Sequence, residues 1–242
     1  MINLKNTLLL GHRGARGEAL ENTLLGFQHS QHLNARGLAG VEFDIQLNAD
    51  GHLIVFHDDD LKRMCGRQSR IDQMRLTEIQ CQSQFGQPIM TLASMVPALH
   101  GFRVIELEIK THDRTNYTVL INALAQALID TPLARLPVVL TSFDVELHTR
   151  LQRHKQLSPV PRGLLIRTQD ALDSAPNTAL QLGCVRLGVH YPLLTQSIIK
   201  NSHRYGLPVS AWTVNDIDAI HQLVQWQTDV IITDFPSRLL LP

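Results

Sequence analysis

The sequence has few cysteines, few aromatic residues and no excess of charge of either sign. Three of its 242 residues are cysteines, 5% are aromatic, and its 22 Lys and Arg residues equal its 22 Asp and Glu residues in number. The cysteines Cys65, Cys81 and Cys184 are odd in number and far apart, which argues against a disulfide framework and favours a reduced, cytoplasmic compartment. Zero net charge and the scarcity of aromatic residues argue against nucleic-acid binding and against attraction to an anionic membrane.

Long apolar runs are missing as well. The run Leu8-Leu9-Leu10 is too short for the core of a signal peptide, and no stretch approaches the roughly 20 apolar residues of a membrane-spanning helix. No low-complexity tract or linker divides the chain. A chain of this length holds either two small domains or one α/β barrel. We expect residues 1–242 to form one unit.

Short apolar segments that alternate with helical patterns predict eight strands, rich in Val, Ile and Leu as buried parallel strands are. The predicted strands cover residues 7–10, 41–47, 104–109, 138–142, 163–166, 185–189, 209–213 and 230–233. Helices are predicted at 22–37, 116–129, 145–157, 195–205 and 217–226. This alternation predicts a TIM-type (β/α)8 barrel, although a doubly wound sheet uses the same alternation.

One connection is longer than the others. Asn48-Ala49-Asp50-Gly51 is typical of a turn, and residues 53–56 predict an extra strand that pairs back. From about residue 58 to residue 102 the chain is long and polar. We interpret this segment as a small insertion after the second strand, and such loops commonly shape the active sites of barrels.

Acidic side chains alternate with apolar ones in the second and third predicted strands. Because strand side chains alternate between two faces, Glu42 and Asp44 point to the same side of the second strand. Glu106, Glu108 and Lys110 likewise share one side of the third. Adjacent strands bring Glu42, Asp44 and Glu108 together, and buried carboxylates are costly unless they are paired or hold a cation. An oxygen-only cluster suits one divalent cation, Mg²⁺ or Ca²⁺ with Mn²⁺ also compatible, better than Zn²⁺. The alternative is ion pairing with Arg and Lys at the barrel rim.

Two of the twelve histidines, His12 and His57, each end an apolar run. Together they supply a candidate base and a candidate acid near neutral pH, whereas a lone histidine at such a position is more often structural. The histidines on predicted helices or near helix ends are expected to be solvated: His29, His32, His148, His154, His203 and His221.

Arg13 and Lys110 add positive charge at the same rim. The guanidinium matches phosphate oxygens with a planar fork, and the ammonium is a point charge. Carboxylates for a cation, basic groups for an anion and two imidazoles together suggest metal-assisted cleavage of a phosphate ester. The alternative for Lys110 is that it only neutralises Glu106 or Glu108.

These residues resemble the motifs of the glycerophosphodiester phosphodiesterase family. The match follows the family's order through nearly the whole chain: His12-Arg13-Gly14, Glu21-Asn22-Thr23, Glu42-Phe43-Asp44, His57-Asp58-Asp59, Glu108-Ile109-Lys110, Ser142-Phe143-Asp144, Trp212-Thr213-Val214-Asn215 and Thr233-Asp234. The length and the lack of a signal peptide resemble the short cytoplasmic bacterial members. Two departures, Leu20 in place of a proline and Met64-Cys65 in place of small hydroxyl residues, remove no reacting group.

The resemblance implies a TIM barrel with an insertion after the second strand, and hydrolysis of a small-molecule glycerophosphodiester to glycerol 3-phosphate and an alcohol. The family mechanism is drawn with attack by the glycerol 2-hydroxyl, followed by opening of a cyclic phosphate by water. Residue by residue, the resemblance implies that His12 is the base and His57 the acid. It implies that the metal ligands are Glu42, Asp44 and Glu108. Arg13 and Lys110 would bind the phosphate, and Glu21 would support the site. Phe143 and Trp212 lie where the family lines its glycerol pocket, although core packing is an equal alternative. Asp234 is expected to be a hydrogen-bonding residue at a strand end with no catalytic part.

Two rival functions remain open at this stage. One is a related barrel phosphodiesterase acting on lysophospholipid or phosphoinositide, against which the neutral composition and the missing membrane-binding helix argue. The other is a phosphate-binding barrel without activity, against which the complete set of acids and histidines argues.

Overall fold

A computed structural model describes Leu4 and residues 6–240, so residues 1–3, 5, 241 and 242 of the predicted unit lie outside the described residues. The strands are β1 Leu8–His12, β2 Gly40–Leu47, β3 Leu53–Val55, β4 Ser83–Gln84, β5 Gln87–Pro88, β6 Met90–Thr91, β7 Val104–Ile109, β8 Val138–Ser142, β9 Arg162–Ile166, β10 Arg186–His190, β11 Val209–Trp212 and β12 Val230–Thr233. The helices are α1 Leu24–Asn34, α2 Lys62–Cys65, α3 Leu76–Gln80, α4 Leu92–Met95, α5 Tyr117–Leu128, α6 Val145–Arg153, α7 Gln169–Gln181, α8 Gln196–Arg204 and α9 Ile217–Gln225.

Parallel strands close into a barrel. Within residues 6–240, eight strands pair in the order β1-β12-β11-β10-β9-β8-β7-β2, and β2 pairs back to β1 to complete the ring. Closure removes the alternative of an open, doubly wound sheet, and the predicted (β/α)8 barrel is confirmed. All carboxyl ends of these parallel strands lie at one end of the barrel, which is where (β/α)8 enzymes assemble their sites.

The alternation of apolar and acidic residues in β2 explains its place between two layers. Val41, Phe43 and Ile45 belong to the core between the barrel and its helices. Phe43 there meets the ring of Phe27 from α1 edge-to-face, with centroids 4.9 Å apart. The residues between these apolar ones, Glu42 and Asp44, are also buried, because a barrel strand has a covered face on both sides.

A charged layer fills the barrel interior below its carboxyl end. Glu106 in β7 is 1% exposed, accepts a hydrogen bond from Ser210 at 2.7 Å and pairs with Arg186 at 2.6 Å. Arg186 lies in β10, and Gly163 in the adjacent strand β9 leaves room for it, since a Cβ at Gly163 would lie 2.8 Å from Arg186 Cγ. The buried carboxylate thus has a cation and a hydroxyl within the barrel, as a buried charge requires.

The long connection between β2 and β7 forms a small layer beside the barrel. β3 pairs antiparallel with β2, as the extra strand was expected to do, and its other edge pairs antiparallel with β6. Within this connection, α2 and α3 pack around a separate apolar cluster that contains Ile54, Phe56, Met64 and Ile79, whereas α4 buries Leu92 and Met95 in the main core. The predicted insertion after the second strand is confirmed as part of the fold.

Sequence patterns missed one helix of the barrel. α7 buries Leu172, Ala175 and Ala179 and contains Pro176. Two of its three buried residues are alanines, which give a weak apolar signal, and an internal proline is usually read as the end of a helix. Within the described residues, no helix is both long and apolar enough to cross a membrane.

One histidine is placed differently from the expectation. His148 in α6 is fully buried rather than solvated. Its Nε2 lies 3.1 Å from the carbonyl of Ser142, and its Nδ1 lies 3.6 Å from the sulfur of Cys184. Burial lowers the pKa of this imidazole. Both ring nitrogens have partners, so the helix can turn His148 toward the core, and the expectation of a solvated side chain was wrong.

Candidate active site

Three carboxylates converge at the carboxyl end of β2 and β7. The register of these two strands places Asp44 opposite Glu108, and one oxygen from each of Glu42, Asp44 and Glu108 lies within 4.8 Å of the others. Glu42 and Asp44 are buried, and Glu108 is partly buried. The periodicity argument therefore found the members of this acid cluster correctly.

The acid cluster brings three carboxylates close together in a position largely shielded from water, so their negative charges repel one another strongly. Burial, with the charges of Asp44 and Glu108, holds the pKa of Glu42 well above its usual range. Burial also raises the pKa of Glu108 to about 7, although Lys110 opposes this shift. Burial acts in the same direction on Asp44, but Lys110 and Arg13 outweigh it and hold its pKa below the usual range. Like charges at this distance require a cation if all three are to ionise.

The donor set fits a hard divalent cation. Asp44 Oδ1 is buried and, among the described residues, receives no hydrogen bond of acceptable geometry, although Lys110 Nζ lies 3.0 Å away as an ion-pair partner. An acceptor left unsatisfied beside two further carboxylates is the arrangement that Mg²⁺ or Ca²⁺ completes. Glu42, Asp44 and Glu108 are therefore the residues able to hold such an ion.

Two basic side chains contact the acid cluster. Lys110 Nζ lies 2.5 Å from Glu108 Oε1, and Arg13 Nε lies 3.3 Å from Asp44 Oδ2. Arg13 has a positive φ of 50°, a conformation that non-glycine residues seldom adopt. Its carbonyl accepts from the backbone of Asn22 at 3.0 Å, and Asn22 Nδ2 donates to Asp44 at 3.0 Å. The strained turn thus directs both residues at the same carboxylate.

His12 forms a buried pair with an aspartate from the other end of the chain. Its Nδ1 lies 2.6 Å from Asp234 Oδ1, and its Nε2 lies 3.7 Å from Glu42 Oε2. Asp234 also accepts from Asn215 Nδ2 and from Arg16 Nε, both at 2.8 Å. Burial lowers the pKa of His12, whereas the hydrogen bond to Asp234 opposes that shift. Asp234 is thus the hydrogen-bonding residue at a strand end that the sequence predicted, and one of its partners is His12.

His57 has a similar partner, but in a more open position. Its Nδ1 lies 2.7 Å from Asp58 Oδ1, and burial lowers the pKa of the imidazole. Arg63 pairs with Asp58 at 2.7 Å and with Glu21 at 2.7 Å. Glu21 in turn accepts from Arg13 at 2.8 Å. This chain of ion pairs connects the insertion to the loop after β1.

The two aromatic candidates are partly exposed and line cavities. Trp212 lies on a small inner cavity of about 30 Å³ that it shares with His12 and Glu42. Phe143 lies on an outer cavity of about 670 Å³, whose wall also includes His57, Asp58, Glu108, Lys110 and Arg167. The two rings meet edge-to-face with centroids 5.6 Å apart. The structure thus brings all ten predicted site residues to one end of the barrel.

The fold and the site place the chain among the (β/α)8-barrel enzymes, whose reacting groups lie at the carboxyl ends of the strands. A model described as the Glycerophosphoryl diester phosphodiesterase family matches residues 12–238. A glycerophosphodiester phosphodiesterase of Caldanaerobacter subterraneus subsp. tengcongensis is 27% identical over 97% of this chain and 96% of that protein. The chain therefore belongs to the glycerophosphoryl diester phosphodiesterase family, and the prediction of this enzyme class, a phosphoric diester hydrolase, is confirmed.

Solved structures share the same fold. A glycerophosphodiester phosphodiesterase from Parabacteroides distasonis matches with a TM-score of 0.80 and 25% identity, covering 96% of this chain and 94% of that one. A phosphodiesterase from Oleispira antarctica, solved with the product sn-glycerol-3-phosphate, matches with a TM-score of 0.86 and 23% identity over 96% and 94%. At 23% identity, the match to the Oleispira antarctica structure shows that the two proteins share the barrel fold.

Proposed function

We propose that the chain hydrolyses glycerophosphodiesters to glycerol 3-phosphate and an alcohol in a reaction that depends on one divalent cation, Mg²⁺ or Ca²⁺ with Mn²⁺ as a substitute. The observation that carries this proposal is the acid cluster with one histidine in each of the two cavities beside it, each histidine hydrogen-bonded to an aspartate: His12 to Asp234 and His57 to Asp58. The product bound to the Oleispira antarctica relative supports the same substrate class.

Glu42, Asp44 and Glu108 are the proposed ligands of the cation. When bound, the cation supplies Lewis-acid stabilisation of the charge that develops on the phosphoryl oxygens. Arg13 and Lys110 already contact the cluster, and we propose that they shift part of their hydrogen bonding to the phosphate. The planar guanidinium of Arg13 suits two phosphoryl oxygens, and the ammonium of Lys110 adds a point charge.

The two histidines are the proposed acid and base. Each has its Nδ1 bonded to an aspartate, which leaves Nε2 as the atom that exchanges a proton. His12 shares the inner cavity with Trp212, and we assign its Nε2 to the proton of the glycerol 2-hydroxyl. His57 lines the outer cavity, which has room for the head group, the alcohol other than glycerol. Its Nε2 gives a proton to that leaving oxygen.

The proposed reaction has two steps. The 2-hydroxyl oxygen forms a bond to phosphorus while the bond to the head group breaks, its proton passing to His12 and a proton from His57 passing to the head group. Water then opens the cyclic phosphate, with the two histidines in exchanged roles. Phe143 and Trp212 supply the apolar surface against glycerol, and Glu21 supports the site by holding Arg13.

We further propose that the described barrel and the segment of about residues 58–102 act as one catalytic unit, because Asp58 of that segment pairs with His57 and lines the same cavity as Glu108. The cysteines Cys65, Cys81 and Cys184 are free thiols, which is compatible with the proposed cytoplasmic location. Cell fractionation that found the protein outside the cytoplasm would contradict this location.

The test is release of glycerol 3-phosphate from glycerophosphocholine, with EDTA and after adding back Mg²⁺, Ca²⁺ or Mn²⁺ separately. We expect EDTA to abolish the activity and one cation to restore it. Lysophosphatidylcholine is assayed in parallel because it separates this function from that of a lipid phosphodiesterase. Turnover of the lysolipid alone, or binding without turnover of either substrate, would contradict the proposal.

A further inference from the structure

The outer cavity contains one basic side chain that the proposed mechanism does not use. Arg167 directly follows β9, the fifth strand of the barrel in chain order, and precedes α7. It therefore lies in one of the strand-to-helix loops that form the active-site end of a (β/α)8 barrel. Its guanidinium carbon lies 4.8 Å from the centroid of the Phe143 ring, on the wall that also carries His57.

The acidic side chains of the same wall are already engaged. Asp58 pairs with Arg63 and His57. Asp144 accepts from the backbone amides at the start of α6 and from the hydroxyl of Tyr117. The carboxylates of Asp58 and Asp144 therefore already have ion-pair or hydrogen-bond partners close by.

The other two carboxylates of the wall also have cations beside them. Asp59 lies 3.4 Å from Arg70, and Glu108 lies 2.5 Å from Lys110. Arg167 differs, since in Leu4 and residues 6–240 no carboxylate lies within ion-pair distance of it. Arg167 is thus a cation on this wall that has no carboxylate partner among the described residues.

Arg167 covers one face of the Phe143 ring, so a positively charged head group cannot stack on that face. A quaternary ammonium binds best over an aromatic ring, and the Phe143 ring already has a guanidinium over it. Choline at this ring would meet a like charge. An anion, in contrast, can take the unused N–H donors of Arg167 in a bidentate arrangement.

A charge in this cavity distinguishes substrates only through their head groups. The glycerol arm is the same uncharged polyol in every glycerophosphodiester, and the phosphodiester charge is common to all of them. His57, the proposed donor to the leaving oxygen, lies in the same cavity as Arg167, so the departing head group has access to this wall.

We propose that Arg167, stacked on Phe143, forms a head-group subsite that selects glycerophosphodiesters whose leaving alcohol carries a second anionic group, a carboxylate or a phosphate monoester. This inference rests on the proposed function of the site. It adds a specificity-determining residue and a substrate class, and it needs no change in the order of bond formation and cleavage.

Two substrate pairs test the subsite because the members of each pair differ by one anionic group. The first pair is glycerophosphoserine with glycerophosphoethanolamine, and the second is glycerophosphoinositol 4-phosphate with glycerophosphoinositol. We expect the wild-type protein to favour the anionic member of at least one pair by about tenfold in kcat/KM, the effect of one charged hydrogen bond. The pair that shows the preference identifies carboxylate or phosphate as the selected group.

Arg167→Gln is expected to bring this ratio close to one, and Arg167→Glu to reverse it. The matched control is Arg204→Gln, an exposed arginine at the end of α8, which retains the wild-type ratio and activity. Circular dichroism of each variant establishes that it is folded. A ratio near one for wild type in both pairs, or a ratio unchanged in both Arg167 variants, would overturn the inference while the diesterase function stands. Absence of turnover with these four substrates and with glycerophosphocholine, whichever cation is added, would overturn the proposed function, and this inference with it.

Discussion

His12 and Asp234 are 222 positions apart in sequence, yet His12 Nδ1 lies 2.6 Å from Asp234 Oδ1. The contact exists because β1 pairs with β12 in register, Gly11 beside Thr233, so that the next residues of the two chain segments, His12 and Asp234, meet. Asn215 and Arg16 hold the carboxylate from two further directions. The pair fixes the imidazole so that Nε2 faces the acid cluster.

Asp234→Asn is expected to lower kcat/KM for glycerophosphocholine by about 10²- to 10⁴-fold, the range of a general base. Asp234 raises the pKa of His12 against the effect of burial, so its removal lowers that pKa further. The acidic limb of the pH–rate profile should therefore move to lower pH. Asp229→Asn is a matched control, since Asp229 pairs with His203 at 2.7 Å at the opposite end of β12. Equal losses of activity in the two variants would contradict the assignment.

Arg63→Met is expected to lower kcat/KM about tenfold with little change in stability. Arg63 is about half-exposed and joins Asp58 to Glu21, and exposed ion pairs contribute only about 0–1 kcal/mol to folding. Its loss instead frees Asp58, which orients His57. Arg67→Met, on the same connection, is the control and should behave like wild type in the activity assay. An Arg63 variant with wild-type kinetics would show that the ion-pair chain does not position the histidine.

The Glu106–Arg186 pair inside the barrel is expected to matter for stability. Arg186→Met leaves a buried carboxylate with Ser210 as its remaining partner, and breaking a buried pair costs about 3–5 kcal/mol. The Glu106→Gln/Arg186→Met double variant should recover much of that loss. Urea denaturation measures both, with Arg150→Met, which breaks a surface pair with Glu146, as the control. A loss below about 1 kcal/mol for Arg186→Met would contradict the buried-charge argument.

His148 should make the protein less stable in mild acid. Burial lowers its pKa below the ordinary value of about 6.5, so as the pH falls below that value the unfolded chain binds a proton that the folded protein excludes. The contribution of neutral His148 to the free energy of unfolding is therefore fully present above about pH 6.5. Below that pH the free energy of unfolding falls, by at most about 1.4 kcal/mol per pH unit. Urea midpoints at pH 7.5, 6.5 and 5.5 should show a smaller decline for His148→Gln than for wild type. The control, His221→Gln on the surface of α9, should keep the wild-type decline, and identical declines in all three proteins would contradict the prediction.

Sequence patterns predicted the barrel well because its strands are apolar runs with regular spacing. The acid cluster was also predictable, since period-two alternation and the adjacency of consecutive strands are enough to place Glu42, Asp44 and Glu108 together. α7 was missed because alanines and a proline conceal its buried face.

Other contacts of the site were beyond sequence reasoning. The pairing of His12 with Asp234 depends on closure of the barrel, which joins the first strand to the last. The Arg63–Glu21 contact depends on how the insertion folds back over the loop after β1. Arg167 carries no motif, and only the shape of the outer cavity shows its relation to Phe143.

The most direct test of the account is kcat/KM of His12→Ala and His57→Ala with two substrates, glycerophosphocholine and the p-nitrophenyl ester of glycerol 3-phosphate. We predict that both variants lose at least about 100-fold with glycerophosphocholine. With p-nitrophenol, a leaving group that needs no proton, only His57→Ala should approach wild-type activity, since it lacks the acid and retains the base. His221→Ala is the control. Near-wild-type turnover of glycerophosphocholine by both variants would contradict the proposed catalytic roles of the two histidines.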